Sequence, residues 1–480
     1  MKAASEVDPL VSSNGNGSGS HPPSNNSSFR NVIASVVIAL GMMVVVGSAG
    51  YALGRSYSTP GPTSFTTTQT SIRFDAHSPH SYEATQFISF TINTLGGKAE
   101  FGECQDLPVD PDSNTCYLGN SQNLTEDVYH RLGIIEGILT KLEESMLEED
   151  SEVDLSPNVL KIFSMPEFFL RGPHGAYSTL ELIDREGTEN DGLLIQVGDK
   201  IRKMIERDAF DDFLFIFGTV LVAESLEHPE IPYYELKHKA EKLLYSNFAP
   251  VAKGGKGHEH HYLLQKHYIS GADYLSRTGT LPNPVKADIH DYAGIDDMAF
   301  LTDTLAQRNV TLVDDNLIEL DGIRLGIEIC LDHRMGALWR TIQETKQDLV
   351  DVLVVTSAGM SIERGPNPVV PGGVVYLCDG EASSAACWHT SKTFNPDTTC
   401  RVPGPGGLGH LPFGGPGYTE FVPTSGCIDV EDLDLESYYS LHQPQGCANT
   451  LKTYGIDVMD EFAYYPPSLE IYPTVSLPAH

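Results

Sequence analysis

Cys330 lies where a strand-like pattern ends and a helical pattern begins. Apolar residues alternate with polar or small ones from 323 to 329, and charged residues follow the cysteine. This pattern predicts a strand that ends before Cys330 and a helix over residues 335–345. A thiol at such a turn lies beside backbone N–H groups without intrahelical acceptors, so a nucleophile and an oxyanion site can be combined there. The common alternative for an isolated cysteine after a strand is a buried core residue.

Two other stretches carry the groups that a reactive thiol needs. Glu167 follows the apolar run 159–163 and stands among aromatic residues. A carboxyl group in apolar surroundings holds its proton more readily than in water, so it can act as a base near neutral pH. Lys266 lies in the strand-like run 262–270, where a lysine on its own would predict a surface side chain. Beside a thiol, its ammonium group would favour the thiolate.

A carboxylate, an ammonium group and a thiol can together hydrolyse an amide through a thioester. The amide carbon is a poor electrophile, so hydrolysis is easier in two steps. Cys330 would attack as the nucleophile, while Glu167 would accept its proton, protonate the leaving amine and activate water. Lys266 and the backbone N–H of Leu331 would stabilise the negative charge on the substrate oxygen. The loss of one such donor typically raises the barrier by about 3 to 4 kcal/mol.

Three motifs in this order resemble those of the nitrilase, or carbon–nitrogen hydrolase, superfamily. They are Pro166-Glu167, Lys266 and Ile329-Cys330-Leu331-Asp332-His333-Arg334. Three other segments are also similar to the family, namely a strand at 213–225, the aromatic-x-Asn turn Tyr245-Ser246-Asn247, and a strand at 351–358. The resemblance covers roughly residues 86–388. Because the motifs lie further apart than expected of the family, we predict inserted loops at residues 227–242 and 271–303.

The resemblance implies an α/β fold, a four-layer α-β-β-α sandwich, and the three catalytic roles given above. It also allows a homodimer, since this fold is often extended across a helical face. Many members carry a second glutamate after the lysine, and Asp273 is the nearest acid here. Asp332 and Arg334 would support the site by an ion pair or by hydrogen bonds at the helix start that fix the cysteine turn.

Composition divides the chain into five stretches. These are a Ser/Asn/Gly-rich tail that should be disordered (1–31), an uncharged candidate transmembrane helix (32–53), a Ser/Thr/Pro-rich stalk (54–85), the hydrolase domain (86–390) and a Cys/Gly/Pro-rich C-terminal extension (391–480). Within the domain, apolar periodicity predicts strands at 87–92, 159–163 and 213–225 and helices at 125–147 and 194–207. Alternating helices and strands favour an α/β sheet with helical cover.

Residues 32–53 predict an uncleaved membrane anchor. At 1.5 Å per residue they can cross a hydrocarbon core of about 30 Å, and they exceed the usual apolar region of a cleaved signal peptide. Asn123 and Asn309 begin glycosylation sequons, and disulfides in the loops would require an oxidising compartment. We therefore expect a single-pass type II protein with a lumenal or extracellular catalytic domain. The local cysteine pairings are Cys104 with Cys116, Cys387 with Cys400 and Cys427 with Cys447, which leaves Cys330 and Cys378 free.

A formal net charge of −34 argues against nucleic acid as a partner. The histidines between 258 and 267 lack a cysteine or carboxylate set at zinc spacing, so we expect no metal ion and no cofactor. The sequence thus predicts a membrane-anchored thiol hydrolase that cleaves a non-peptide carbon–nitrogen bond in a small-molecule amide. A catalytically inactive binding or receptor protein on the same fold, a nitrilase and an acyltransferase stay open as alternatives.

Overall fold

The structure is a computed structural model of the 480-residue chain. It describes residues 72–73, 81–92, 94, 97–98, 109–110, 115–116, 124–172, 175–178, 193–225, 243–258, 261–268, 309–313, 315–360, 362, 367–380, 383–388, 426–428 and 467–478. Outside these ranges lie the predicted tail, the candidate membrane span 32–53, most of the stalk, Asn123, Asp273 and the two predicted insertions. Within them, no helix is both long and apolar enough to cross a membrane.

Strands outnumber helices in the described ranges. In chain order the elements are β1 (Ile72–Arg73), β2 (Ala84–Thr91), β3 (Gly97–Lys98), β4 (Val109–Asp110), β5 (Thr115–Cys116), α1 (Leu124–Ser145), β6 (Val159–Met165), β7 (Tyr177–Ser178), α2 (Leu193–Ile205), β8 (Phe213–Phe217), β9 (Val220–Ser225), β10 (Leu243–Lys253), β11 (His261–Gln265), β12 (Val310–Val313), β13 (Leu317–Leu320), β14 (Ile323–Ile329), α3 (Leu331–Met335), α4 (Ala337–Thr345), β15 (Val350–Ser357), β16 (Val369–Asp379), β17 (Ser383–Trp388), β18 (Gly426–Ile428), β19 (Ser468–Ile471) and β20 (Val475–Ser476).

Two large mixed sheets form the centre of the fold. The first has the order β1-β13-β14-β15-β16-β17, in which β14, β15 and β16 are parallel. The second runs β12-β11-β10-β8-β6-β2-β19-β18, in which β2, β6 and β8 are parallel. The Thr356 hydroxyl at the end of β15 donates to the Met165 carbonyl at the end of β6 over 2.9 Å. The parallel strands of the two sheets therefore end side by side.

Three apolar clusters define the layers. The largest packs α1 and α2 against the outer face of the second sheet, with Ile135 and Phe215 among its buried members. A second cluster lies between the sheets and joins Ile162 of β6 to Ile327 of β14. A third packs Leu338 and other residues of α4 against the outer face of the first sheet. These described residues form an α/β fold, which the alternating pattern predicted, and their order of helix, sheet, sheet, helix is the one that the resemblance implied.

Two predicted elements are interrupted by glycine. The strand expected at 213–225 is two strands, β8 and β9, which are separated at Gly218, whose φ is 63°. The helix expected at 335–345 begins earlier, as α3, and is broken at Gly336, whose φ is 66°. Apolar periodicity does not show either break, because each depends on a left-handed backbone conformation that glycine accepts without strain. The helices α1 and α2 lie within two residues of their predicted bounds.

The end of the predicted C-terminal extension belongs to the second sheet. β19 pairs antiparallel with β2, and β20 pairs with the start of β2. The Ser384 hydroxyl of β17 donates to the Glu470 carboxylate of β19 and lies 2.7 Å from the Tyr472 hydroxyl. Because β17 belongs to the first sheet, this buried polar cluster joins the two sheets through residues 470–472.

Glu470 gives the fold a pH dependence. Burial raises the pKa of Glu470 from 4.5 to about 7, against the opposing hydrogen bonds from Ser384 and Ser468. The folded state therefore favours the protonated carboxyl, so this contribution to stability is complete below pH 4.5 and is lost as the pH rises through about 7. The full loss is roughly 3 kcal/mol at 1.36 kcal/mol per pKa unit.

We expect Glu470→Gln to remove this loss. In urea unfolding the variant should match the wild type near pH 4.5 and exceed its unfolding free energy at pH 8 by up to about 3 kcal/mol. Glu319→Gln is the control, since Glu319 is partly exposed and lies 3.7 Å from Arg324. A wild-type slope between pH 4.5 and 8 in the Glu470→Gln variant would contradict the assignment.

Candidate active site

Glu167 is placed by the turn that follows β6. Its N–H donates to the Ser357 carbonyl over 3.2 Å, and its own carbonyl accepts from the Thr94 hydroxyl at 2.6 Å. The next residue, Phe168, has a φ of 66°, and its N–H is bonded to the Thr219 hydroxyl at 2.9 Å. Backbone contacts on both sides thus fix where the Glu167 side chain starts.

The break between β8 and β9 makes room for this turn. A Cβ atom on Gly218 would lie 2.2 Å from the Pro166 carbonyl oxygen, and the positive φ of Gly218 disfavours any other residue. Beyond the break, Thr219 accepts the Leu170 N–H at its carbonyl over 3.0 Å. Gly218-Thr219 therefore holds the segment that carries Glu167, although the sequence pattern suggested only a continuous strand.

Lys266 and Glu167 form a fully buried ion pair. The Lys266 Nζ lies 2.7 Å from Glu167 Oε1, and both side chains are 0% exposed. Asn247 Nδ2 donates to the same oxygen over 2.9 Å, and the Asn247 carbonyl accepts the Lys266 N–H at 2.9 Å. The Asn247 residue thus contacts both members of the pair.

Asn247 is the residue of this site that the sequence reasoning left without a role. We expected a turn at Tyr245-Ser246-Asn247, but the segment lies inside β10. An asparagine in the middle of a buried strand requires a hydrogen-bonding partner there, because burying an unpaired amide costs free energy. That conflict between residue type and strand pattern is the signal that could have identified it.

Cys330 occupies a strained position between β14 and α3. Its φ and ψ are 47° and −108°, a conformation that non-glycine residues rarely adopt. Its N–H donates to the Thr356 carbonyl over 2.9 Å, and its carbonyl accepts the His333 N–H at 2.9 Å. Cys330 is in no disulfide and is 4% exposed. Backbone strain that the surroundings hold in place is common at reactive positions.

A buried pair behind Cys330 supports this conformation. Glu328 accepts from His333 Nδ1 at 2.7 Å and from the Leu338 N–H at 2.9 Å. Leu338 lies in the first turn of α4, where a carboxylate is favoured by the helix dipole. Glu328 therefore joins the strand before the cysteine to both helices after it.

Asp332 connects the cysteine turn to the segment after β11, which begins with Lys266. Its carboxylate accepts the His267 N–H at 3.0 Å and the Tyr268 N–H at 2.8 Å. Burial raises the pKa of Asp332 to about 6, although His267 and Lys266 favour its ionised form. We expected an ion pair with Arg334 or a bond at the helix start. Instead Arg334 is exposed and makes no ion pair with Asp332. The carboxylate oxygens of Asp332 accept the N–H groups of residues 267 and 268.

In the described part of the chain, the three predicted catalytic residues each follow a strand, and they lie at the same end of the two sheets. Glu167 and Lys266 touch, and Cys330 is tied to them through Thr356, Ser357 and Asp332. The Leu331 N–H belongs to the first residue of α3 and so has no intrahelical acceptor. Asp273 lies outside the described residues, so its supporting role stays a prediction.

Other predicted positions lie away from this edge. Asn309 is exposed in the turn before β12, and its glycosylation stays a prediction. Cys378 is free and buried, while Cys387 is in a disulfide. A cavity of about 50 Å³ lies between α2 and strands β8 to β12, and none of Glu167, Lys266 and Cys330 lines it. This cavity therefore does not belong to the candidate active site.

We expect Asp332→Ala to destabilise the protein by about 2 to 4 kcal/mol, because two buried backbone N–H groups lose their acceptor. Urea unfolding measures the change. Asp348→Ala is the control, since the Asp348 side chain is 91% exposed beside Arg324, and it should cost less than about 0.5 kcal/mol. Equal losses in the two variants would show that the Asp332 contacts contribute nothing specific.

No protein-family model matches the sequence, and no curated protein matches it. Solved structures of nitrilase-superfamily amidases do match. The NitN amidase of Nesterenkonia sp. AN1 is 9% identical, with 62% of this chain and 78% of that chain covered and a TM-score of 0.28. A mutant of that amidase in complex with butyramide is 10% identical over 64% of this chain and 82% of that chain, also at 0.28.

The Saccharomyces cerevisiae protein Nit3, a member of branch 10 of the nitrilase superfamily, is 12% identical, with 61% of this chain and 75% of that chain covered and a TM-score of 0.26. TM-scores below 0.5 at such identities do not by themselves establish a common fold or a common activity.

Proposed function

We propose that this protein is a thiol hydrolase of the carbon–nitrogen hydrolase superfamily that cleaves the amide bond of a small molecule through a thioester on Cys330. The observation that carries the proposal is the fully buried contact between Lys266 and Glu167, 2.7 Å long, at the end of the sheets where Cys330 follows β14. A buried ion pair is a costly feature that contributes little to stability. The strained backbone of Cys330 and that of Glu167 are bonded to the consecutive residues Thr356 and Ser357, and this placement of the pair favours a chemical role.

The first half of the reaction forms the thioester. Glu167 takes the thiol proton as Cys330 Sγ bonds to the amide carbon, and the carbonyl oxygen becomes negatively charged. Lys266 Nζ and the Leu331 N–H stabilise that oxygen. When the tetrahedral intermediate collapses, the carbon–nitrogen bond breaks and Glu167 returns the proton to the leaving amine.

The second half releases the acid. Glu167 takes a proton from water, whose oxygen bonds to the thioester carbon, and the same two donors stabilise the new oxyanion. The carbon–sulfur bond then breaks, and Glu167 gives the proton that it took from water to the sulfur of Cys330. Asn247 keeps Glu167 Oε1 in place during both halves, since its Nδ2 donates to that oxygen. A single carboxyl group thus serves as base and acid in turn.

The location of the enzyme is a second part of the proposal. Residues 32–53 would anchor the chain as a single-pass type II membrane protein, with the hydrolase domain lumenal or extracellular. The support is the uncharged length of this segment. The exposure of Asn309, the first residue of a sequon, is consistent with glycosylation on that side.

Variants of the three residues test the reaction on a panel of small aliphatic amides, with ammonia release as the assay. Cys330→Ala should abolish turnover, and Glu167→Gln and Lys266→Gln should each lower it by about 100-fold or more. Intact mass should reveal an acyl adduct on the wild type that Cys330→Ala lacks.

Two controls remove matched side chains elsewhere. Cys378→Ala deletes a second buried thiol that is in no disulfide, and Lys253→Gln deletes a second buried lysine, the last residue of β10. Both should retain turnover within about twofold once folding is verified by thermal unfolding. If no amide is hydrolysed and Cys330 reacts with iodoacetamide no faster than a free thiol, the hydrolase proposal is wrong and a binding protein on this fold takes its place.

A further inference from the structure

Asp379 is a buried carboxylate at the end of β16 that the proposed reaction does not use. Its side chain is 1% exposed. It accepts hydrogen bonds from the hydroxyl of Ser357, the last residue of β15, and from two residues that follow this strand, namely from the Gly359 N–H at 3.1 Å and from the Met360 N–H at 2.9 Å. One side chain thus fixes residues 357–360.

The segment held by Asp379 begins where the sheet ladder ends. The pairing of β15 with β16 stops at Ser357, which is opposite Asp379. Gly359 has a φ of 89°, so the chain leaves the extended conformation at once. Beyond this point the donors of residues 359 and 360 cannot bond to a neighbouring strand, and the Asp379 carboxylate accepts them instead.

The end of β15 accepts backbone hydrogen bonds from both the proposed nucleophile and the proposed base. The Thr356 carbonyl accepts the Cys330 N–H at 2.9 Å, and the Ser357 carbonyl accepts the Glu167 N–H at 3.2 Å. These two carbonyls belong to consecutive residues, whose Cα atoms are about 3.8 Å apart. A rotation or shift at Ser357 therefore moves the Glu167 backbone relative to the Cys330 backbone.

We propose that Asp379 is a positioning residue that sets the placement of Glu167 relative to Cys330, through the residues 356–357 to which both are bonded. The proposal rests on the proposed function, since it assumes that Glu167 activates the Cys330 thiol. Asp379 is assigned no contact with the substrate or with the reacting atoms. It acts on the reaction by holding Ser357, whose carbonyl also accepts the Gly380 N–H at 2.7 Å.

The chemistry of the three donors explains why an aspartate suits this position. An ionised carboxylate is an acceptor only and has room for about four hydrogen bonds, so it can satisfy all three. An asparagine of the same shape has one acceptor oxygen, and its NH₂ group would face an N–H donor. Asp379→Asn therefore changes the hydrogen bonding of residues 357–360 with little change in volume.

The experiment measures the rate of Cys330 alkylation by iodoacetamide from pH 5 to 10 in the full-length protein, with urea unfolding in parallel. In the wild type we expect an inflection below the value near 8.5 of a free thiol. Asp379→Asn should lower the rate at pH 7 by about tenfold and raise the inflection by about one pH unit, because a displaced base no longer assists the thiol. In amide hydrolysis kcat should fall while KM stays within about twofold.

Asp351→Asn is the matched control. Asp351 is also 1% exposed, lies near the opposite end of β15 and accepts the Arg324 N–H at 2.8 Å. It should lower stability but leave the alkylation rate within about twofold of the wild type. If Asp379→Asn does not fold, Ser357→Ala removes one of the three donors and should lower the rate at pH 7 by about threefold.

The outcomes separate the two proposals. A wild-type Cys330 that reacts like a free thiol overturns the proposed function and this inference with it. A reactive wild type whose inflection is unchanged in Asp379→Asn, or in Ser357→Ala where that variant replaces it, overturns the inference alone. Equal loss of reactivity in Asp379→Asn and Asp351→Asn overturns it as well, since that result would reflect stability only.

Discussion

Two opposite charges that are fully removed from water constrain the rest of the site. Burying a single unpaired ion costs several kcal/mol, so neither Glu167 nor Lys266 is tolerable without the other in contact. The two residues follow β6 and β11, which are not neighbours in the sheet. The strand order must therefore bring the ends of β6 and β11 close together. Asn247 in the intervening β10 bonds to both Glu167 and Lys266. The packing of the second sheet and the electrostatics of the site cannot vary independently.

Strained backbone surrounds this pair on two sides. Phe168, next to Glu167, and Cys330 both have positive φ values, which in non-glycine residues cost of order 1 to 3 kcal/mol each. Such conformations persist only where neighbours determine them. Thr219 binds the Phe168 N–H, and Thr356 binds the Cys330 N–H. Thr219, just before β9, and Thr356, at the end of β15, thus hold the turns from which Glu167 and Cys330 project.

The sequence predicted those parts of the site that depend on local pattern. Cys330 and Glu167 each follow an apolar strand, and their order with Lys266 along the chain made all three candidates. It could not predict the break at Gly218 or the N–H groups that donate to Asp332, because each depends on the backbone of a segment distant in the chain. The pairing of β19 with β2 was not predicted for the same reason. A four-residue strand flanked by prolines has no local signal, and its pairing depends on the exposed backbone of β2, which is distant in the chain.

The strand β19 also ties the folding of this protein to its synthesis. Thr91 of β2 and Ser468 of β19 are 377 positions apart along the chain. At 5 to 20 residues per second, a ribosome would need about 20 to 75 s to make the chain between them. During that interval β2 presents an unpaired edge, which is a template for association with other chains. During this period, chaperones that cover the exposed edge of β2 would favour folding over aggregation.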